Sequence, residues 1–213
     1  ITKDYSGLIS TTFSTLGTPS VSTSIQDPYG NNNGVGDFTN DGDRVLGPYS
    51  KYFNFLKNPW SIEFFFWVPP YDGEYHHPLC FKGSGDWYTD AFRINIIDSN
   101  IWIGFGDGSS GWAASGKGTQ NLTFSAWNFY QIIADGTNVN CYLNGSLDQT
   151  LTQPTMISFS KIIVGHYRDD VGVFDYRSLK GYLSDLRIST CIRSAKVPTS
   201  RLTNDHNTIP VSY

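Results

Sequence analysis

The stretch WSIEFFFWV, residues 60–68, leaves the chain few ways to fold. Successive side chains of a β-strand point to opposite faces, and this run carries large apolar residues on both. A strand of that kind needs cover on each side, so it belongs between two layers, as in the interior of a sandwich. PPYDG then stops it.

The rest of the chain repeats short strand-like runs at short spacing. HPLCFKG, AFRINII and NIWIGFG follow the first strand. WNFYQIIAD and NVNCYLNG form a predicted hairpin across DGTN, and CYLNGSLDQ forms a second across Asn144-Gly145, the strongest short hairpin signal. KIIVGHY and GYLSDLRIS complete the set. No window of a dozen residues has a helical period. The pattern predicts an all-β antiparallel sandwich or jelly roll. Residues 1–37 are rich in Ser, Thr, Gly and Asn, and QDPYGNNNGVGD is dense in turn formers. They read as a loop-rich N-terminal arm, with residues 38–213 as one domain.

Bulk properties narrow the function. The 213 residues suit a single sizeable core. Aromatics make up 15% of the chain against 16% charged residues, which fits pleated, half-buried surfaces. The net charge is −4 and no Lys/Arg stripe occurs, so nucleic acid is not an expected partner. No run approaches the roughly 20 apolar residues of a spanning helix, so no membrane span is expected. The cysteines are Cys80, Cys141 and Cys191, an odd number that cannot close an intrachain disulfide framework. Cys141 is in phase with Val139 and Leu143 and reads as core. Reduced thiols suit folding in a cytoplasm.

Three blocks, residues 38–68, 127–150 and 162–202, resemble the laminin-G-like, concanavalin A-like jelly rolls. The first opens with FTNDGDRVL and runs into the WSIEFFFWV strand. The second is the WNFYQIIADGTNVNCYLNGSLDQT hairpin pair. The third is IIVGHY followed by GYLSDLRISTCIRSAKVPTSRL. The ending DLRISTCIRSAKVPTSRL is most similar to versions found in bacteriophage virion proteins such as tail fibres and head decorations. The resemblance implies that the strand bearing Asp185 and Arg187 is framework. On strict alternation, Leu183, Asp185, Arg187 and Ser189 share one side, and Tyr182, Ser184, Leu186 and Ile188 the other.

Catalysis finds little support in the residues. Glycoside hydrolysis needs two carboxylates across the scissile bond, and Glu63 and Glu74 are the only glutamates of 19 acids. Most Asp sit in turn-like settings such as NDGDR, GDGSS and ADGTN, where Asx-turn chemistry explains them. The adjacent His76 and His77 project to opposite sides of a strand, so with Cys80 they make a poor zinc set.

Binding has better candidates. GSGDWYTD offers Asp86, Trp87, Tyr88 and Asp90, and GDGSSGWAASGKG offers Asp107 and Trp112. A Trp among Gly and Ser has three readings: it stacks on a sugar, meets another subunit, or caps the sandwich end. Asp169, Asp170 and Asp185 form a candidate Ca²⁺ set.

The expected function is a non-enzymatic phage virion surface protein, a capsid decoration or fibre component, made in the host cytoplasm. Its expected partners are other virion proteins, copies of itself and cell-surface glycan. A carbohydrate-binding module or lectin is the alternative, and a glycoside hydrolase of the same fold the third.

Overall fold

A computed structural model describes residues 13–47, 58–82, 91–109, 111–154, 161–169, 177–203, 205 and 207–209. They form two antiparallel sheets. The seven-stranded sheet has the order β1 (Ser14–Leu16), β4 (Arg44–Leu46), β13 (Lys161–Val164), β6 (His76–Lys82), β7 (Ala91–Ile97), β8 (Asn100–Gly106) and β9 (Trp112–Lys117). The eight-stranded sheet has the path β12 (Ser146–Thr152), β11 (Asn138–Leu143), β10 (Trp127–Ala134), β5 (Trp60–Trp67), β14 (Gly181–Ser189), β3 (Val35–Phe38) and β2 (Ser20–Ser22), with β15 (Thr208–Ile209) beside β14. Among the described residues there is no helix, hence none long and apolar enough to cross a membrane.

The expected hairpins are present. Asp135 Oδ1 accepts from Thr137 N at 2.8 Å and Asn138 N at 2.7 Å, closing the β10–β11 turn. Asn144 (φ 51) and Gly145 (φ 83) turn β11 into β12 in the left-handed conformation that Asn-Gly tolerates. Asn144 also accepts Phe129 N through its side chain at 2.8 Å, which fixes the turn against β10.

The core lies between the sheets. Ile62, Phe64 and Phe66 of β5 and Ile132 of β10 meet Phe81, Phe92, Ile94, Ile103 and Phe105 of the other layer. Phe92 stacks on Phe105 at 4.5 Å between centroids. Cys141 is buried here, as its phase predicts, and burial pushes its thiol far above the ordinary range.

The outer side of β5 is also buried, and the chain itself covers it. Phe65 packs on Phe129 at 4.8 Å, and Tyr29 meets it edge-on at 5.5 Å. Trp127 Nε1 donates to Gln26 O at 2.8 Å. Glu63, 2% exposed, lies between two donors. Arg187 Nε and Nη2 each donate to its Oε2 at 2.7 Å, and Gln131 Nε2 to its Oε1 at 2.9 Å. Both donors also hold the C-terminal segment: Gln131 Nε2 reaches Ser194 O at 2.8 Å and Arg187 Nη1 reaches Thr203 O at 3.2 Å. Arg193 pairs with both Asp205 oxygens at 2.7 Å, and Arg201 spans Gly34 O and Asp27. The segments 26–34 and 190–203 therefore cover the middle of this sheet, over β10, β5 and β14.

Two expectations need correction. The described part of the arm is mostly turns and irregular backbone, as expected, but it also supplies strands: β1 edges one sheet, β2 and β3 extend the other, and the boundary at residue 37 falls inside β3. Residues 1–12 lie outside the described residues. Strict alternation along β14 also fails. A bulge between Ser184 and Arg187, with Asp185 at φ 52, shifts the phase. Leu183 thereby joins Leu186 and Ile188 in the core, and Arg187 faces out to Glu63.

Removing one partner of a buried pair strands the other charge. Glu63→Ala should cost about 3–5 kcal/mol, and Glu63→Met with Arg187→Met together much less. Urea denaturation of the three proteins checks this; equal losses would contradict the pairing.

Candidate functional site

The outer face of the seven-stranded sheet gathers aromatic rings and guanidiniums. Alternation puts Phe92, Ile94, Ile101 and Ile103 in the core, so Arg93 and Trp102 stand on the opposite face. Trp112 of β9 pairs with Gly106 and folds back towards β8. Its ring meets Trp102 edge-on at 4.8 Å, with an interplanar angle of 79°. Gly104 lies beneath both indoles, and a Cβ there would overlap them. Glycine is therefore what lets the two rings lie against the sheet.

From this corner a row of rings and guanidiniums runs across the sheet. Arg93 Cζ sits 4.9 Å from the Trp112 ring and 5.7 Å from the Tyr167 ring. Arg177 Cζ sits 6.0 Å from Tyr167 and 5.4 Å from Tyr75. Cation–π attraction favours each contact. The centre of the row is buried, with Arg93 at 5% and Tyr167 at 2% exposure, whereas Trp102, Trp112 and Arg177 are half-buried and Tyr75 is exposed. The buried middle anchors, and the two ends present.

Tyr167 is the anchor's centre. His77 stacks on it at 4.7 Å and His166 at 5.2 Å. Leu46, Cys80 and Ile163 pack with it. Arg44 is buried and donates from Nη1 to His166 Nδ1 at 2.9 Å, and Arg168 N donates to the same nitrogen at 2.9 Å. Burial pushes the Cys80 thiol up to about 12, which makes it inert packing.

The candidates from sequence divide. Trp112 belongs to the row. Asp107 closes its own turn: Oδ1 accepts Ser109 N at 2.7 Å, Ser109 Oγ at 2.8 Å and Gly111 N at 3.1 Å. These bonds hold its carboxyl below the ordinary range. Asp86, Trp87, Tyr88, Asp90 and Asp170 lie outside the described residues.

The Ca²⁺ set is not assembled. Asp169 bridges Lys82 at 2.8 Å and Lys161 at 3.2 Å, so two ammoniums occupy its oxygens. Burial raises its pKa, but the two lysines outweigh burial and hold it below the ordinary value. Asp185 belongs to the other sheet, where it neighbours Tyr29, Arg201 and Asp27; burial pushes its carboxyl up. Asp169 and Asp185 thus stand in different layers. Among the described residues no three His, Cys, Asp or Glu side chains are grouped to hold a metal ion.

The comparisons agree with this geometry. Residues 42–196 match the Laminin_G_3 family model, described as the concanavalin A-like lectin/glucanases superfamily. The chain belongs to that superfamily. No curated protein matches it significantly. Among solved structures, the binding domain of botulinum neurotoxin serotype G is similar over 87% of this chain, with TM-score 0.62 and 14% identity. The receptor binding domain of the C/D mosaic serotype gives TM-score 0.64 at 14% identity, and the serotype D binding domain 0.62 at 15%. This concanavalin A-like domain spans 44% of the length of each. At such identities the likeness is one of fold.

Sequence alternation alone places Arg93 and Trp102 on the outer face, so both were within reach of a sequence reading. Nothing local signals that Tyr167, Arg177 and Tyr75 join them, because those contacts bring the segment after β13 and the segment before β6 onto the same face.

The buried imidazoles make this concanavalin A-like domain acid-sensitive. Burial, then the charges of Arg93, His166 and Arg177, hold His77 well below its ordinary 6.5; burial also lowers His76. Below about pH 6.5 the unfolded chain takes up protons that the folded His77 refuses. Stability is therefore complete above that pH and falls as pH drops, by at most about 1.4 kcal/mol per pH unit per histidine. Urea midpoints at pH 7.5 and 5.5 should show the fall, and His77→Phe should reduce it. An unchanged difference in His77→Phe would contradict the assignment.

Proposed function

We propose that this domain is a non-enzymatic recognition domain that takes a glycan on the outer face of its seven-stranded sheet, displayed on the surface of a bacteriophage virion. The observation that carries the glycan reading is the half-buried Trp102–Trp112 corner over Gly104. Indole faces stack on the apolar faces of sugar rings, and a corner of two rings at 79° gives a sugar two walls. The likeness to the receptor binding domain of the neurotoxin C/D mosaic serotype supports recognition as the role. So does the state of the nearby carboxylates: Asp107 is engaged in its turn and Asp169 with two lysines, whereas hydrolysis requires a working pair.

The virion setting rests on the resemblance of the 185–202 block to phage tail-fibre and head-decoration proteins. There the domain would dock on other virion proteins and on copies of itself, leaving the Trp corner towards cell-surface glycan.

A glycan array on the purified protein tests the first part. Trp112→Ala should weaken the best hit by about 1–2 kcal/mol, roughly five- to thirtyfold, without loss of fold. Undiminished binding in that variant would place the ligand elsewhere. Mass spectrometry of purified particles tests the second part: the chain should co-purify in fixed stoichiometry, and a chain found only free would contradict the setting.

A further inference from the structure

Asn-Gly occurs twice in the chain, at Asn33-Gly34 and Asn144-Gly145. Asparagine is thermolabile, and a following glycine has no Cβ to shield the backbone nitrogen that attacks its side chain. The fold places the two copies under different constraints. Asn144 stands at φ 51 in the β11–β12 turn. Its N donates to Phe129 O at 2.8 Å, its Oδ1 accepts Phe129 N at 2.8 Å, and its Nδ2 donates to Asn128 Oδ1 at 3.3 Å. Strand β10 thus holds its backbone and both ends of its amide. Asn33 is exposed in the irregular stretch before β3, and its side chain is held at one end, by Nδ2 donating to Asp27 Oδ2 at 3.0 Å. An exposed side chain makes that bond, so water competes for it.

The same bond supports the cover. Asp27 is 2% exposed, and its Oδ1 accepts Tyr29 N at 3.0 Å and Asn31 N at 2.9 Å. This carboxylate shapes the turn that sets Tyr29 against Phe65. Asn33 supplies a donor to its other oxygen, and Arg201 lies 3.6 Å from the same atom.

We propose that Asn33 is a site of spontaneous deamidation, and that its conversion loosens the 26–34 cover. Gly34 N attacks Asn33 Cγ. The bond from Cγ to Nδ2 breaks, and ammonia leaves with the proton from Gly34 N. Water then opens the cyclic imide at either carbonyl, giving aspartate or isoaspartate. The product puts a carboxylate where Asp27 had a donor. Two carboxylates cannot share a bond without a proton, and the buried one loses a partner.

Site-resolved mass spectrometry follows the purified protein in warm, mildly alkaline buffer. Asn33 should convert at least about tenfold faster than Asn144, the equivalent of the further hydrogen bonds that pin Asn144. In concentrated urea the two rates should converge, because the dipeptide is the same. Equal rates in the folded protein overturn the site. A difference that survives in urea overturns the fold as its cause. Hydrogen exchange reads the consequence. In Asn33→Asp, exchange across residues 26–34 should rise about tenfold or more while β5 keeps its protection. Asn33→Gln keeps an amide donor, and incubation should leave its exchange as it was. Unchanged exchange in Asn33→Asp overturns the loosening. If that variant does not fold, incubated and fresh samples of the unmodified protein are compared instead, and equal exchange overturns it.

Discussion

The structure depends on β5 being buried on both sides. Its inner residues Ile62, Phe64 and Phe66 belong to the inter-sheet core, which any two-layer sandwich supplies. Its outer residues Phe65 and Glu63 require a second cover, and no third sheet exists among the described residues to give it. The chain's own ends do so. Residues 26–34 bring Tyr29 to Phe65, and residues 190–203 bring carbonyls to Gln131 and Arg187. Glu63 ties the arrangement together, because its two donors also hold the covering segment. A carboxylate buried at this depth would be costly without them.

That cover decides where function lies. Over β10, β5 and β14 the covered sheet has little face to offer, and the proposed recognition surface lies on the opposite sheet. There one crossing segment is pinned by Tyr167, Arg44 and two stacked histidines. The pin is buried, while the Trp corner at one end and Arg177 with Tyr75 at the other remain accessible. Fixed, half-exposed aromatics lose little conformational freedom on binding, which favours them as contact residues. The residues that hold the fold and those proposed to meet a ligand are thus neighbours in one row, divided by depth.

Much of the fold was legible because it is written locally. WSIEFFFWV announced an interior strand, Asn144-Gly145 a tight hairpin, and the Asp of NDGDR, GDGSS and ADGTN their turns; Asp43, Asp107 and Asp135 all accept backbone N–H groups of their own turns. The misses have a common physical origin in contacts between distant segments. The 13–37 stretch looks like loop because edge strands need few apolar residues, and β1 and β3 find partners outside it, on β4 and β14. The bulge at Asp185 breaks period two, and its local trace is the three-residue step from Leu183 to Leu186. Asp169 and Asp185 looked like co-ligands by residue type, yet lysines took one and the opposite sheet the other. At the candidate site, Trp112 was visible as an aromatic among small residues. Alternation gave Arg93 its face but not its contact with Trp112, and nothing local placed Tyr167 against Arg93, since only the folded sheet brings them into one row.

The central claim is that the roofed sheet is scaffold and the outer face of the seven-stranded sheet binds. Hydrogen exchange by mass spectrometry, with and without a saturating oligosaccharide, tests it most directly. The account predicts new protection in β8, β9 and the 166–169 and 177–179 segments, with residues 26–34 and 190–203 unchanged. Protection confined to those two covering segments would contradict it, and would place the binding face on the sheet assigned here to scaffold.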